Sequence, residues 1–317
     1  MAQSSTPPAA KTYKIYVVLW RGWEEAAQGF KDYLEETHTP FELIVRDANL
    51  DKSKIPGFVA EARDMDVDLI VTWGTTVTRE MLGKHGQVDP SRHITERPAL
   101  FMIVSQPVGS NIVSSLNGSG RNITGVAHIV PEQTQIMVAR SYIDIKRIGM
   151  LYNERENNAE VTMKNLKALQ GPMGFELIAR PIPIAKDGKP SPKSIPILVE
   201  ELARTGIDMF YIGPDSFMTV HADKYTEAAA KFGIPVFAAS EIPVQDYGAL
   251  MGVVNRYRSI GKLAAQKARD ILINGANPSD MKIEQPNRFS IIINMTAARN
   301  LKLYPPLLLL KAAELIH

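Results

Sequence analysis

The stretch Asp68-Leu69-Ile70-Val71-Thr72-Trp73-Gly74-Thr75-Thr76 has the pattern that decides the fold. Its apolar run is short and continuous, and it ends in glycine and threonine, where a helical pattern begins over 76–82. Such a run is typical of a strand that is buried on both faces of a parallel sheet. The stretch therefore predicts one strand–helix unit of an α/β domain.

The same alternation continues along the chain on either side of this unit. In the first half, strands are predicted at 13–19, 41–46, 68–73 and 99–104, and helices at 24–36, 55–64 and 76–82. The second half repeats the pattern, with strands at 147–152, 175–181, 209–212, 235–239 and 289–293 and helices at 158–170, 195–205, 220–232, 260–274 and 296–300. Gly171-Pro172 is expected to end one of these helices. Because both halves show the same alternation of strands and helices, we predict two doubly wound parallel-sheet lobes.

The composition is typical of a globular protein and excludes several kinds of functional site. The chain has 317 residues, 45% of them hydrophobic and 22% charged, which is ordinary for two globular domains. A net charge of +2 without a long basic run gives no reason to expect nucleic acid as a partner. The absence of cysteine excludes disulfides, thiolate metal sites and cysteine nucleophiles. No apolar run approaches the ~20 residues of a spanning helix, and residues 1–11 are predicted to be a disordered lead.

Candidate binding residues follow the predicted strands, because ligands of open parallel sheets bind beyond the carboxyl ends of the strands. The residues at these positions are Trp20, Arg21, Trp23, Trp73, Gly74, Thr75, Thr76, Ser105, Gln106, Pro107, Tyr152, Asn153, Asp215, Ser240 and Glu241. All three tryptophans of the chain are among them. We therefore expect one binding site for a small molecule at these strand ends.

Each type of candidate has a functional and a structural interpretation. The tryptophans suit a ring or a cation, but they also suit a core. The hydroxyl residues at 74–76 and 105–110 are expected to open helices and to bind a carboxylate, or simply to cap those helices. Asp215 would hold an amine or act as an N-cap, Arg21 could clamp an acid, and Glu24 and Glu241 could add negative charge. The sequence leaves these alternatives open.

Motifs of common enzyme classes are missing. The chain has no dinucleotide-binding glycine fingerprint, no phosphate-binding loop, no nucleophile elbow and no zinc-binding His-Glu-x-x-His. Its six histidines are scattered, and His128, near the predicted lobe boundary, is expected to be structural. These observations favour binding over catalysis, with no metal and no cofactor.

At several of these residues the sequence resembles a known family, the ABC-transporter substrate-binding proteins related to tryptophan- and phenylalanine-binding receptors. The matching segments are VSQPVGS (104–110), GRNITGV (120–126), IGMLYN (148–153), IPVFAASE (234–241), YGAL (247–250), 261–274 and 289–301 with Pro305-Pro306. Two positions depart from the family. Gln106 stands where the family commonly has Asp, and the segment from Trp20 to Trp23 is unusual for the first loop.

The resemblance implies a periplasmic-binding protein type I fold with a three-stranded hinge. It implies a first lobe of 12–125 plus 253–282 and a second lobe of 126–252 plus 283–317. Carboxylate contacts would lie near Thr75, Thr76 and Ser105, and amine contacts near Asp215. It further implies a membrane-embedded ABC permease as partner, a monomer, and a periplasmic location after removal of a signal peptide that the given chain lacks.

With this resemblance, the expected function is that of the solute-binding component of an ABC importer, which captures a small amino-acid-like or aromatic carboxylate ligand in the cleft between the lobes. Two other functions remain open on the sequence alone. In the first, the three tryptophans, with Glu24, Glu241 and Asp215 nearby, form a cage for a quaternary ammonium ligand. In the second, the chain is a cytoplasmic α/β enzyme or the effector domain of a regulator. No helix-turn-helix lead and no catalytic set of residues supports the latter.

Overall fold

The computed structural model describes residues 11–286 and 288–317. The predicted disordered lead lies outside these residues except for Lys11, which pairs with Asp68 at 2.5 Å. The strands are β1 (Tyr13–Leu19), β2 (Phe41–Asp47), β3 (Leu69–Trp73), β4 (Ala99–Val104), β5 (Ile123–Ala127), β6 (Arg147–Tyr152), β7 (Glu176–Pro181), β8 (Met209–Ile212), β9 (Val236–Ala238), β10 (Met251–Val254), β11 (Ser290–Asn294) and β12 (Glu314–Ile316).

Helices occupy most of the segments between these strands. They are α1 (Glu25–Glu36), α2 (Ile55–Asp64), α3 (Thr75–Leu82), α4 (Glu132–Arg140), α5 (Asn157–Met173), α6 (Ser194–Ala203), α7 (Ser216–Val220), α8 (Ala222–Ala230), α9 (Glu241–Asp246), α10 (Tyr257–Leu272), α11 (Met295–Leu301) and α12 (Leu307–Ala312), with a 3-10 turn at Lys52–Lys54. Among the described residues, no helix is both long and apolar enough to cross a bilayer.

The first unit is built on a five-stranded sheet with strand order β2-β1-β3-β4-β5. It comprises the described residues up to Ile103, together with Ile112–Val126 and Arg258–Glu284. The pairs β1–β2, β1–β3 and β3–β4 are parallel. Every residue of β3 and β4 is buried, as expected for central strands with helices on both faces.

The second unit is built on a seven-stranded sheet with strand order β12-β11-β10-β9-β8-β6-β7. It comprises Val104–Asn111, Ala127–Tyr257 and Gln285–His317, apart from Asn287. Successive residues of one strand pack into different cores, with Tyr211 in one and Phe210 in the other. The sheet therefore buries both faces. Among its described strand pairs, β10–β11 is antiparallel and the others are parallel.

Residues 104–111 belong to the second unit, whereas the sequence put them in the first lobe. The reason is a polar contact, since the Gln106 side chain donates to Glu132 and accepts from Asn165. The chain therefore contributes eight residues to the second unit before it returns to the first unit at Ile112.

Several local predictions were wrong. No helix opens at 105–110, which forms turns that end at Asn111, where the backbone is left-handed with φ of 54°. The helix at 157–173 contains Pro172 in its last turn and ends instead at left-handed Gly174. The helices α7, α9 and α12 are only five or six residues long, too short to show a helical period.

The helices α1 and α10 of the first unit approach each other closely. A Cβ added at Gly261 would lie 1.9 Å from the Ala26 carbonyl oxygen, and one at Gly29 would lie 2.1 Å from the Arg258 carbonyl oxygen. Only glycine allows backbones this near, so these two positions fix the crossing of the helices. Arg258 reinforces the crossing through an ion pair with Glu25 at 3.0 Å.

Candidate functional site

The N-terminus of α3 presents hydrogen-bond donors without partners. Its N-cap is Gly74, with φ of 86° and no side chain to bond the first amides. The expected alternative of ordinary side-chain capping is therefore not what forms here. The Thr75 hydroxyl is buried and has no hydrogen-bond partner among the described residues, while Thr76 is partly exposed. Free amides, a helix dipole and an orphan hydroxyl suit an anionic group.

Arg21 and Glu24 neutralise each other. The Arg21 Nε donates to a Glu24 carboxylate oxygen at 2.7 Å, and the two side chains are only 6% and 17% exposed. The guanidinium lies over the Trp73 ring, 5.1 Å from its centroid. Burial raises the pKa of the Glu24 carboxyl, and Arg21 opposes that rise. The sequence left Arg21 and Glu24 as separate candidates for contacting a ligand. In the structure they form one buried ion pair beside the Trp73 ring.

The three tryptophans do not form one cluster. Trp20 and Trp73 are buried, whereas Trp23 is 42% exposed and donates its indole N–H to Gln28 at 2.9 Å. The Trp20 indole N–H is buried with no partner among the described residues. The face of Trp73 is occupied by the protein's own cation. The first unit therefore gathers Trp20, Arg21, Trp73 and Thr75, and leaves Trp23 apart from them, just before α1.

In the second unit, two buried carboxylates lie side by side. Asp215 caps α7 by accepting from the Met218 amide at 3.0 Å, and it also accepts from the Asn153 amide at 2.7 Å. Glu156 accepts from the next amides of the same helix start, Ser216 at 2.9 Å and Phe217 at 3.1 Å. Burial raises the pKa of Asp215 well above its ordinary value, and the neighbouring Glu156 raises it further.

Sequence reasoning missed Glu156. Its signal is weak, because a glutamate near the start of a helix is a common charge complement to the helix dipole. The pairing depends on a partner 59 residues away, which the strand order β8-β6 brings beside it. The prediction that Asp215 lies at the strand-end edge holds, and its N-cap role holds with it.

Gln106 belongs to a third polar group. Its amide donates to Glu132 at 2.5 Å, and Asn165 donates both to Gln106 at 2.9 Å and to Glu132 at 3.2 Å. Glu132 is buried, and burial raises the pKa of its carboxyl. The departure from the family pattern has a physical reason here, since an aspartate at 106 would face a second carboxylate.

The remaining candidates lie near their strand ends, and most of them are buried. Ser105 and Pro107 are buried beside Gln106, and Tyr152 is partly exposed at the end of β6. The Ser240 hydroxyl has no partner among the described residues. Glu241 accepts from Arg256 at 2.9 Å and from the Tyr257 amide at 3.1 Å, so its charge is already compensated.

His128 lies in the interior of the second unit. The His128 ring is buried and packs edge-on against Tyr257, with ring centroids 5.6 Å apart. Within the described residues, no three His, Cys, Asp or Glu side chains are grouped as a metal site.

Comparison with known proteins identifies the family. A model of the ABC transporter substrate-binding proteins matches residues 17–316. The chain belongs to this family. A curated relative, the tyrosine-binding protein of Clostridioides difficile strain R20291, is 25% identical over 198 residues. That match covers 62% of this substrate-binding protein and about half (54%) of the relative.

Solved structures agree on the fold. A Streptococcus pneumoniae ABC domain in complex with L-Trp has a TM-score of 0.83 at 21% identity, covering 97% of this chain and all of that one. A ligand-free, open substrate-binding protein with adhesive properties from Clostridium difficile has a TM-score of 0.71 at 22% identity, covering 96% and 99% of the two chains. The substrate-binding protein thus has the periplasmic-binding protein type I fold, as expected.

Proposed function

We propose that this substrate-binding protein captures an aromatic amino acid in a cleft between its two units and delivers it to an ABC importer. The observation that carries the proposal is the complementary chemistry of the two sets of strand-end residues. The first unit offers donors without partners, at Trp20 and Thr75. The second offers paired buried carboxylates, at Asp215 and Glu156. A zwitterion needs both kinds of group.

The ligand carboxylate is assigned to the first unit. The uncapped amides of α3 and the Thr75 hydroxyl can all donate to it, and Thr76 lies beside them in the first turn of α3. Ser105 would add a contact from segment 104–111 of the second unit. The dipole of α3 favours a negative charge at this end. Arg21 does not serve as the main clamp, because Glu24 already holds its guanidinium.

The ligand ammonium is assigned to the second unit. An ionised carboxylate has about four acceptor sites, and two backbone amides leave Asp215 with capacity for a further donor. The raised pKa of Asp215 follows from burial beside Glu156. An incoming ammonium would oppose both effects and favour the ionised form.

Two relatives support an aromatic side chain on the ligand. One is named a tyrosine-binding protein and the other was solved in complex with L-Trp. The buried ring of Trp20 would flank such a side chain. A quaternary ammonium cage has less support, because Arg21 covers Trp73 and Trp23 is bonded to Gln28.

The wider role follows the family. We expect a membrane-embedded permease as partner, an extracytoplasmic location, a three-stranded hinge that lets the units close on the ligand, and a monomer. A receptor of this kind performs no chemistry on its ligand and needs no cofactor.

Titration calorimetry with matched ligands tests the proposal. We expect L-Trp or L-Tyr to bind at least tenfold more tightly than indole-3-propionate, which lacks the ammonium, and than tryptamine, which lacks the carboxylate. Tighter binding of betaine than of both amino acids would contradict the proposal. The proposal would also be contradicted if no amino acid raised the melting temperature of the protein.

The Thr75→Val variant tests the carboxylate assignment. Loss of the hydroxyl should weaken L-Trp binding by about tenfold while tryptamine binding stays unchanged, because only L-Trp has the carboxylate. Thr205→Val is the matched control, since the Thr205 hydroxyl only donates to the Leu202 carbonyl at 2.7 Å. Equal losses for L-Trp and tryptamine would assign Thr75 a structural role instead.

A further inference from the structure

A cavity lies in the first unit, at the edge of the sheet opposite the candidate ligand residues. Its volume is about 470 Å³, within the range of small-molecule sites. Its walls come from the loop before β4 and from Arg121 and Asn122 at the start of β5. The strands β1, β3 and β4 are parallel, so this N-terminal edge is remote from Trp20 and Thr75.

The loop that forms the cavity is unusual in length and in how it is held. It runs over 83–98 without a helix or strand of its own, whereas such connections commonly take 2–6 residues. Arg63 holds it by donating to the carbonyls of Pro90, Ser91 at 2.8 Å and His93 at 2.7 Å. Long loops that stay ordered are usually functional.

Arg121 is the charged group of this cavity. Its Nη1 donates to the carbonyls of Ile112 at 2.9 Å and Gly83 at 3.3 Å, and its Nη2 donates to that of Leu82. Among the described residues, no carboxylate forms an ion pair with it. Three of its five N–H groups are used, which leaves Nε–H and one Nη2–H, and the Nε–Nη2 edge of a guanidinium matches an oxyanion.

The acids near the cavity are engaged elsewhere. Glu96 accepts from the Thr95 amide at 3.1 Å, and Asp89 accepts from the Ser91 amide at 2.9 Å. Burial lowers the pKa of Arg121. Burial also lowers the pKa of His93, and the charges of Arg92 and Arg121 lower it further. The cavity therefore carries an uncompensated positive charge, and the wall beside it is apolar, with Val88 and Ile94.

A cavity of similar size in the second unit provides a contrast. It has a volume of about 510 Å³ and is lined by Arg140, which donates to the Ile145 and Gly174 carbonyls at 3.1 Å. That cavity also contains Asp144, which pairs with Lys146 at 3.6 Å. Each of these two cavities is lined by an arginine bonded to backbone carbonyls, but the one at Arg121 has no carboxylate among its described lining residues.

We propose that the cavity at Arg121 binds a small organic carboxylate, separate from the transported ligand. The carboxylate takes the Nε–Nη2 edge of Arg121, and the apolar body of the molecule packs against Val88 and Ile94. Asn122 and Thr95 line the same cavity and supply further polar contacts. Inorganic phosphate shares the oxyanion chemistry but has no apolar body, so it binds more weakly.

NMR titration of the full chain with benzoate, acetate and phosphate tests this site. We expect benzoate to saturate amide shifts of Gly86 and Asn122 at an affinity at least fivefold above that of acetate and of phosphate. The Arg121→Gln variant should lose at least tenfold in benzoate affinity. Because Arg121 also bonds the end of α3, Val88→Glu provides a second variant, which keeps Arg121 and adds a competing carboxylate.

Arg92→Gln is the control, since Arg92 is a cation of the same loop that does not line the cavity. Unchanged benzoate binding in this variant, with loss in Val88→Glu, supports a site at Arg121. Equal losses in Arg92→Gln and Val88→Glu would indicate only the general charge of the loop. No shift at Gly86 and Asn122 with benzoate would leave Arg121 as a helix cap and overturn the proposal.

Discussion

Arg21 and Glu24 form a buried ion pair, and its energetics depend on both partners. Removing one partner from such a pair costs about 3–5 kcal/mol, because a buried charge is left alone, whereas replacing both is often neutral. We therefore expect Arg21→Met to destabilise the protein by a few kcal/mol and the double variant Arg21→Met/Glu24→Leu to recover most of it. Denaturant unfolding of the four proteins in a double-mutant cycle measures this, and additive effects would contradict it.

Glu132 predicts a pH dependence of stability. Burial raises the pKa of its carboxyl above the ordinary value of 4.5, so the folded state holds this proton more tightly than the unfolded state. The contribution is present below pH 4.5 and is lost as the pH rises through the raised pKa. Glu132→Gln should therefore gain stability relative to wild type at pH 7 and not at pH 4, as measured by melting temperature.

The exposed Glu160 provides the control for that comparison. It pairs with Lys164 one turn along α5, with side chains 40% and 64% exposed. Glu160→Gln should shift the melting temperature by a similar small amount at both pH values. A gain for Glu132→Gln that is equal at pH 4 and pH 7 would show that burial of the charge is not its cause.

The sequence identified which residues stand at strand ends, but not how they are paired. Trp73, Thr75 and Asp215 are where the strand pattern put them. The pairing of Arg21 with Glu24, and of Asp215 with Glu156, depends on side-chain directions and on contacts distant in sequence. The hydrophobic periodicity of the sequence gives no information on either of these pairings.

At the scale of elements, the glycine contact between α1 and α10 is the most sensitive point. Gly261→Ala would bring a Cβ to 1.9 Å from a backbone oxygen, which cannot rotate away. We expect a loss of about 1–3 kcal/mol or more, as for overpacked cores. Gly57→Ala in α2 is the control, because nothing lies within 4 Å of its new Cβ, and it should be neutral or slightly stabilising. Thermal unfolding compares the two.

Elements with a clear apolar pattern were predictable, including the four-residue strand β8, whereas the nine-residue helix α4 and several short helices were not. The strand at 13–19 and the helix at 55–64 were predicted to the residue, because each carries a full apolar period. The segment 105–110 was expected to open a helix, yet tertiary bonds of Gln106 hold it as turns. A stretch of five or six residues has too few apolar positions to distinguish the two outcomes.

At the scale of the whole molecule, the first unit depends on a late segment of the chain. Residues 258–284 supply α10, and a fragment 1–126 lacks it. We expect this fragment to show no cooperative thermal transition, whereas the same fragment joined to 258–284 by a flexible Gly/Ser linker regains one. A sharp transition of the fragment alone, followed by circular dichroism, would contradict this.

The discontinuous first unit has a consequence for synthesis. A ribosome that has completed β5 must translate residues 127–257 before α10 emerges, which takes on the order of ten seconds or more. During this time the face of α1 around Gly29 lacks its contact with α10. The first unit of the nascent chain therefore stays incomplete until residues 258–284 have been synthesised.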